Sequence, residues 1–81
     1  MKLRRAVALR ISNLLVMKHM TQYELAKRML VDQSTIRHIM HEESKTIKLN
    51  TLYKLADAFE MTVQEFLNDE LFDRKNIDDI D

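Results

Sequence analysis

Residues 33 to 38, QSTIRH, place an amide, two hydroxyls, a guanidinium and an imidazole within six positions. Drawn as a helix, Gln33, Ser34, Arg37 and His38 fall to one side, while Ile36 and Ile39 fall to the other. These side chains donate and accept hydrogen bonds, and their pattern suits recognition better than bond breaking. A second polar run, HEESKTIK at 41 to 48, adds Lys45, Thr46 and Lys48. Catalysis has little to work with. The chain has no Gly, hence no glycine-rich phosphate loop, and no Cys, hence no thiol nucleophile, disulfide or thiolate metal site. No nucleophile and base stand at a useful spacing, and no carboxylate pair has a credible cleft, so no enzyme is expected. His38 and His41, three apart, make at most half a metal site with only His19 as a third imidazole, so neither a metal nor a cofactor is expected.

The elements that must hold these groups read as helices. Apolar residues recur at helical spacing along the chain, no stretch alternates as a strand would, and the expected fold class is all-α. Val7, Ile11, Leu14 and Met17 mark a first helix over about residues 4 to 18. Thr21 and Glu24 form a capping box that starts a second, carrying Leu25, Ala26 and Met29 inward. Asp32 is expected to cap the third. Leu49, Leu52, Leu55, Ala56 and Phe59 mark a fourth; Thr62 and Glu65 cap a fifth, from which Val63, Phe66 and Leu67 pack back. Only Leu30 to Asp32 separate helices two and three. So short a link makes them cross steeply and leaves the polar side of the third facing outward, the geometry of a helix-turn-helix.

Charge is segregated beneath a net of zero. Residues 1 to 54 hold eleven Lys/Arg against four Asp/Glu, a charge of +7, and residues 55 to 81 hold two against nine, a charge of −7. A basic body of this kind is either an ordinary solvated surface or a patch that meets a polyanion. An 81-residue chain without cysteine fits a reducing cytoplasm. Its opening MKLRRAVALRISNLLVM is interrupted by Arg10, Ser12 and Asn13 and lacks a small-residue cleavage site, and no segment approaches membrane-spanning length.

TQYELAKRM, VDQSTIRHI and LNTLYKLADAFEMTVQEFL together resemble the Cro and lambda-repressor type (XRE-like) of helix-turn-helix DNA-binding domain, over about residues 7 to 67. The resemblance rests on Gln22, Glu24, Leu25, Ala26, Val31, Ser34, Ile36, Ile39, Leu49, Leu52, Ala56 and Val63. It implies a compact five-helix domain whose third helix enters the major groove of double-stranded DNA, with a homodimer on a palindromic operator. By the same resemblance Gln22 bonds a phosphate and braces the third helix, and Gln33 and Ser34 read bases. Gln suits the N6 and N7 atoms of adenine, and a Ser hydroxyl suits several bases. His38, one turn beyond Ser34, reaches the same groove, and Arg37 flanks it. Thr35, Lys45, Thr46 and Lys48 are expected at the DNA backbone, where they set register. A basic arm at residues 1 to 5, with Lys2, Arg4 and Arg5, adds charge.

Members of this family usually place Gly at four turns where this chain has His19, Leu30, Glu42 and Glu60. A residue with a Cβ costs about 1 kcal/mol or more in the left-handed region, so either these turns are strained or the helices end differently. Glu42 and Glu43 stand near the expected DNA face, where they would repel phosphates. Leu15 and Val16 stand where the family shows charge, and as an exposed pair they would serve a dimer. The acidic segment 68 to 81 is expected either to fray or to form a sixth helix that pairs with a second subunit.

The function expected is a sequence-specific transcriptional regulator, a repressor that occupies an operator. The alternative is a protein-interaction module of the same fold, with a protein partner bound through the C-terminal tail or the exposed apolar residues. Phosphate contacts release counterions, so the expected affinity for duplex DNA falls with salt at a log-log slope near −0.9 per phosphate neutralised. Gel shifts on a random duplex across salt check this; affinity that stays flat between low and physiological salt would count against DNA as the partner.

Overall fold

A computed structural model describes residues 1 to 80; Asp81, the last residue of the acidic segment, lies outside the described residues. Five helices carry the fold: α1 Leu3–Met17, α2 Gln22–Met29, α3 Gln33–Met40, α4 Leu49–Ala58 and α5 Val63–Leu67. Among the described residues no helix is long and apolar enough to cross a membrane.

Both capping boxes close. The Glu24 amide donates to Thr21 Oγ1 at 3.1 Å while Glu24 Oε1 accepts from the Thr21 amide at 3.3 Å, and Thr62 and Glu65 repeat the exchange at 3.0 and 2.9 Å. Bonds from the Thr62 amide and hydroxyl hold the Glu65 carboxyl below its ordinary value of 4.5. The stabilisation this brings is whole above 4.5 and is lost as pH falls through the lower folded value. Asp32 corrects the reading of the third helix start. It occupies the N-cap position with an extended backbone, but its side chain makes no capping bond. The Thr35 amide that a capping side chain would take is bonded instead to the Asp32 main-chain carbonyl at 3.0 Å.

The four positions without the expected glycine all adopt the left-handed conformation: His19 at φ 52°, and Leu30, Glu42 and Glu60 each at 58°. Each closes the same hydrogen-bonded turn. The amide of the residue that follows reaches back five positions, Met20 to Leu15 at 2.9 Å, Val31 to Ala26 at 3.0 Å, Glu43 to His38 at 2.9 Å and Met61 to Ala56 at 3.0 Å. The left-handed residue itself bonds three positions back in every case. This is the Schellman motif, which satisfies carbonyls a helix end leaves open. Of the two outcomes open from the sequence, the turns are left-handed and strained.

Helices α1 and α2 pack on α3, and α4 joins α2 to α5. Val7, Ile11, Leu14, Leu25, Ile36, Leu55, Phe59 and Phe66 share one core. Leu15 belongs to it, leaving Val16, 75% exposed, without its expected partner, because Leu15 follows Ile11 by one helical turn. Leu67 is also more exposed than expected, since α5 ends there and turns only Phe66 fully inward. Residues 3 to 5 form the first turn of α1 rather than an extended basic arm.

Arg10 lies on the core side of α1 and is only 8% exposed. Its guanidinium donates to the Phe66 carbonyl at 2.8 Å, to the Glu65 carbonyl at 3.0 Å and to the Asp69 carboxylate at 3.2 Å. It thereby caps the last carbonyls of α5, a helix of five residues. The acidic segment then forms two 3₁₀ turns, Glu70–Phe72 and Arg74–Asn76, in place of a sixth helix, and the first packs on α1. Ile77 is buried, and the Leu3 amide donates to the Asp79 carbonyl at 2.8 Å.

Leu30 is the clearest of the strained positions because it is 92% exposed, so its side chain contributes little packing. Leu30→Gly removes a left-handed cost of about 1 to 2 kcal/mol against an entropy loss of about 0.5 to 1. The variant is expected to melt a few degrees higher, with Leu30→Ala giving no such gain. Thermal unfolding of both checks this, and an unchanged or lower midpoint for Leu30→Gly would show the turn is not strained.

Candidate nucleic-acid interface

Helix α3 is fixed from beneath by Ile36 and Ile39, both buried. Their burial turns the other side of the helix outward: Gln33, Arg37 and His38 are exposed and Ser34 is half-buried. Beside that side runs an open cleft of about 330 Å³, lined by Thr35, His38 and Ile39 of α3, by Ser44, Thr46 and Ile47 of the following loop, and by Lys48 and Thr51 at the start of α4. The loop crosses from α3 to α4 under the pull of Ile47, which is half-buried against the core.

The cleft brings Thr35, His38, Thr46 and Lys48 together from two helices and a loop. Gln33, Ser34 and Arg37 stand on the same helix outside the cleft, Lys45 lies exposed in the loop, and Gln22 is the exposed first residue of α2. Two further lining residues, Ser44 and Thr51, were not singled out from the sequence. Thr51 lies in the first turn of α4, its amide bonded to the carbonyl of the N-cap residue Lys48 at 3.0 Å. Four hydroxyls, an imidazole and an ammonium make a donor-rich lining, and the first turn of α4 adds the positive end of its dipole. Such a surface suits the oxygens of a phosphate.

The two glutamates after α3 each have a close partner. Glu42 accepts from Arg5 of α1 at 2.9 Å, and Glu43 Oε2 lies 2.5 Å from His38 Nδ1. Exposed pairs of this kind contribute at most about 1 kcal/mol each to stability, so their weight is in charge and position. Lys2 is drawn to the acidic segment by a backbone bridge with Asp79. Among the described residues, no group of three or more His, Cys, Asp or Glu comes together as a metal site.

A family model described as the Cro/C1-type HTH DNA-binding domain matches residues 10 to 71. No curated protein and no solved structure matches the chain. The match takes in every helix of the domain from the middle of α1 through the first 3₁₀ turn to Leu71, and with it the whole of the cleft. The chain belongs to the Cro/C1-type helix-turn-helix DNA-binding domain family, which is a binding domain and not a catalytic one.

Proposed function

We propose that this member of the Cro/C1-type helix-turn-helix family is a sequence-specific transcriptional repressor that binds a palindromic operator as a homodimer, in the cytoplasm. The observation that carries the reading is the continuity of two surfaces. The outward side of α3 offers Gln33, Ser34 and His38 for base edges, and it runs directly into the cleft of Thr35, Ser44, Thr46, Lys48 and Thr51, where phosphates fit. A base-reading helix needs such flanking contacts to fix its register on the duplex. Gln22, at the start of α2, supplies a further phosphate contact on the other flank, and Arg37 and Lys45 add charge on the exposed side of α3 and its loop.

The dimer follows from size. Eight residues of α3 span about 12 Å, enough to face only a few base pairs. Two copies set about 34 Å apart on one side of the duplex double the contacts, and the two-fold axis between them calls for a palindrome. Repression is then simple occupancy of the operator. The alternative, a protein-interaction module working through the tail, is weakened by what the tail already does. Its Ile77 is buried and its backbone is bonded to α1.

Selection of bound sites from a random duplex pool tests the proposal. The expected site is palindromic with half-sites one helical turn apart. Gln33→Ala and Ser34→Ala each lose about 1 to 3 kcal/mol of preference at one or two positions in each half-site. Gln22→Ala, Lys45→Ala and Lys48→Ala weaken all sequences by similar factors and leave the preferred sequence unchanged. Site preferences untouched by either α3 substitution would remove α3 as the reader and return the protein-interaction reading.

A further inference from the structure

One of the four Schellman turns is built differently from the rest. The motif brings the residue after the left-handed position against the residue five before it, commonly as an apolar contact. Those pairs are Leu15 with Met20, Ala26 with Val31, and Ala56 with Met61, and all six residues belong to the core or pack on it. In the turn that ends α3 the pair is His38 with Glu43, and both side chains are more than half exposed, at 57 and 56%. The apolar contact is replaced by Nδ1 of His38 lying 2.5 Å from Oε2 of Glu43. The Glu43 amide donates to the His38 carbonyl at 2.9 Å, so the backbone of the turn keeps the two residues in register.

We propose that Glu43 is a positioning residue that fixes the tautomer of His38 and so determines which base His38 reads. The inference rests on the reading of α3 as the DNA-reading helix. The negative charge of the Glu43 carboxylate, 2.5 Å from Nδ1, favours the tautomer that carries its proton on Nδ1 over the one that carries it on Nε2. A neutral imidazole has one N–H, and Nε2 is then left with a lone pair and accepts. The cleft around His38 supplies no competing carboxylate: its other polar lining is the hydroxyls of Thr35, Ser44, Thr46 and Thr51 and the ammonium of Lys48. An accepting Nε2 matches the N4 amino group of cytosine in the major groove, whereas a protonated Nε2 would match O6 and N7 of guanine. Glu43, which touches no base in this account, therefore acts on sequence choice through His38. A carboxylate that looks adverse beside DNA gains a use in this arrangement.

Two measurements on the full chain test this. Nitrogen-15 spectra of the imidazoles, recorded without DNA at about pH 9 where histidine is neutral, report which nitrogen holds the proton. The expected result is His38 protonated at Nδ1 and, in Glu43→Ala, moved toward the Nε2–H form, with His19 and His41 unchanged. A wild-type His38 protonated mainly at Nε2, or one that Glu43→Ala does not move, would overturn the proposal. Site selection at the same pH is then compared for wild type, His38→Ala and Glu43→Ala. At the base position whose preference disappears in His38→Ala, the ratio of cytosine to guanine is expected to fall about three- to tenfold in Glu43→Ala, the worth of one hydrogen bond. No such position in His38→Ala, or an unmoved ratio in Glu43→Ala, would overturn the control of sequence choice. If wild type selects no DNA at all, the functional reading itself falls, while the imidazole spectra still decide whether Glu43 fixes the tautomer.

Discussion

A single backbone event recurs at every helix end that shapes the binding face: a left-handed residue closes the helix, and the next amide reaches five residues back. It happens at His19, Leu30, Glu42 and Glu60 in a chain that contains no glycine. At about 1 to 2 kcal/mol each, the four together approach the net stability of a domain this size, roughly 4 to 12 kcal/mol. Such strain persists only where the surroundings over-determine the conformation. Here they do so through the helices on either side of each turn, whose Ile11, Leu25, Ile36, Leu55 and Phe59 lie completely out of solvent in one core. The turns set the helix directions, and the core keeps the turns.

Arg10 extends the same logic to the end of the domain. A buried guanidinium loses several kcal/mol of hydration, which is recovered only when its donors are bonded. Its bonds to two α5 carbonyls and to Asp69 meet that need and also finish a helix too short to stand by itself. With α5 tied to α1, Phe66 stays in the core and lies 6.1 Å from the ring of Phe72 in the segment that follows. The acidic segment thus becomes part of the body of the domain, and the charge asymmetry of the sequence is partly consumed in contacts between its basic beginning and its acidic end.

Most of the fold was legible because it is written in local pattern. The 3.6-residue spacing of Val7, Ile11 and Leu14, and the Thr-x-x-Glu boxes at 21 and 62, depend on neighbours three or four residues away. The two expected ways of ending the helices were distinguishable only by φ, which sequence spacing does not carry. Arg10 reads along the chain as a polar interruption, yet it follows Val7 by three and precedes Leu14 by four and so falls on the core side; its partners are more than fifty residues away. Leu15 carried the same signal relative to Ile11. Asp32 had the right residue type and position, but the bond it was expected to make was already made by its own carbonyl. Of the candidate site, the α3 residues were visible as a polar stripe, whereas the places of Ser44 and Thr51 in the cleft and the contact of Glu43 with His38 depend on how the loop after α3 folds back.

The chain folds as a helix-turn-helix DNA-binding domain of the Cro/C1 type, and the proposed reading puts α3 on the bases and the cleft beside it on the backbone of the duplex. Amide chemical shifts of the labelled chain, followed as a selected duplex is titrated in, test that assignment most directly. The largest changes are expected on residues 33 to 38 and 44 to 51, with residues 68 to 80 nearly still. Changes concentrated on the acidic segment, with α3 and the cleft undisturbed, would contradict it.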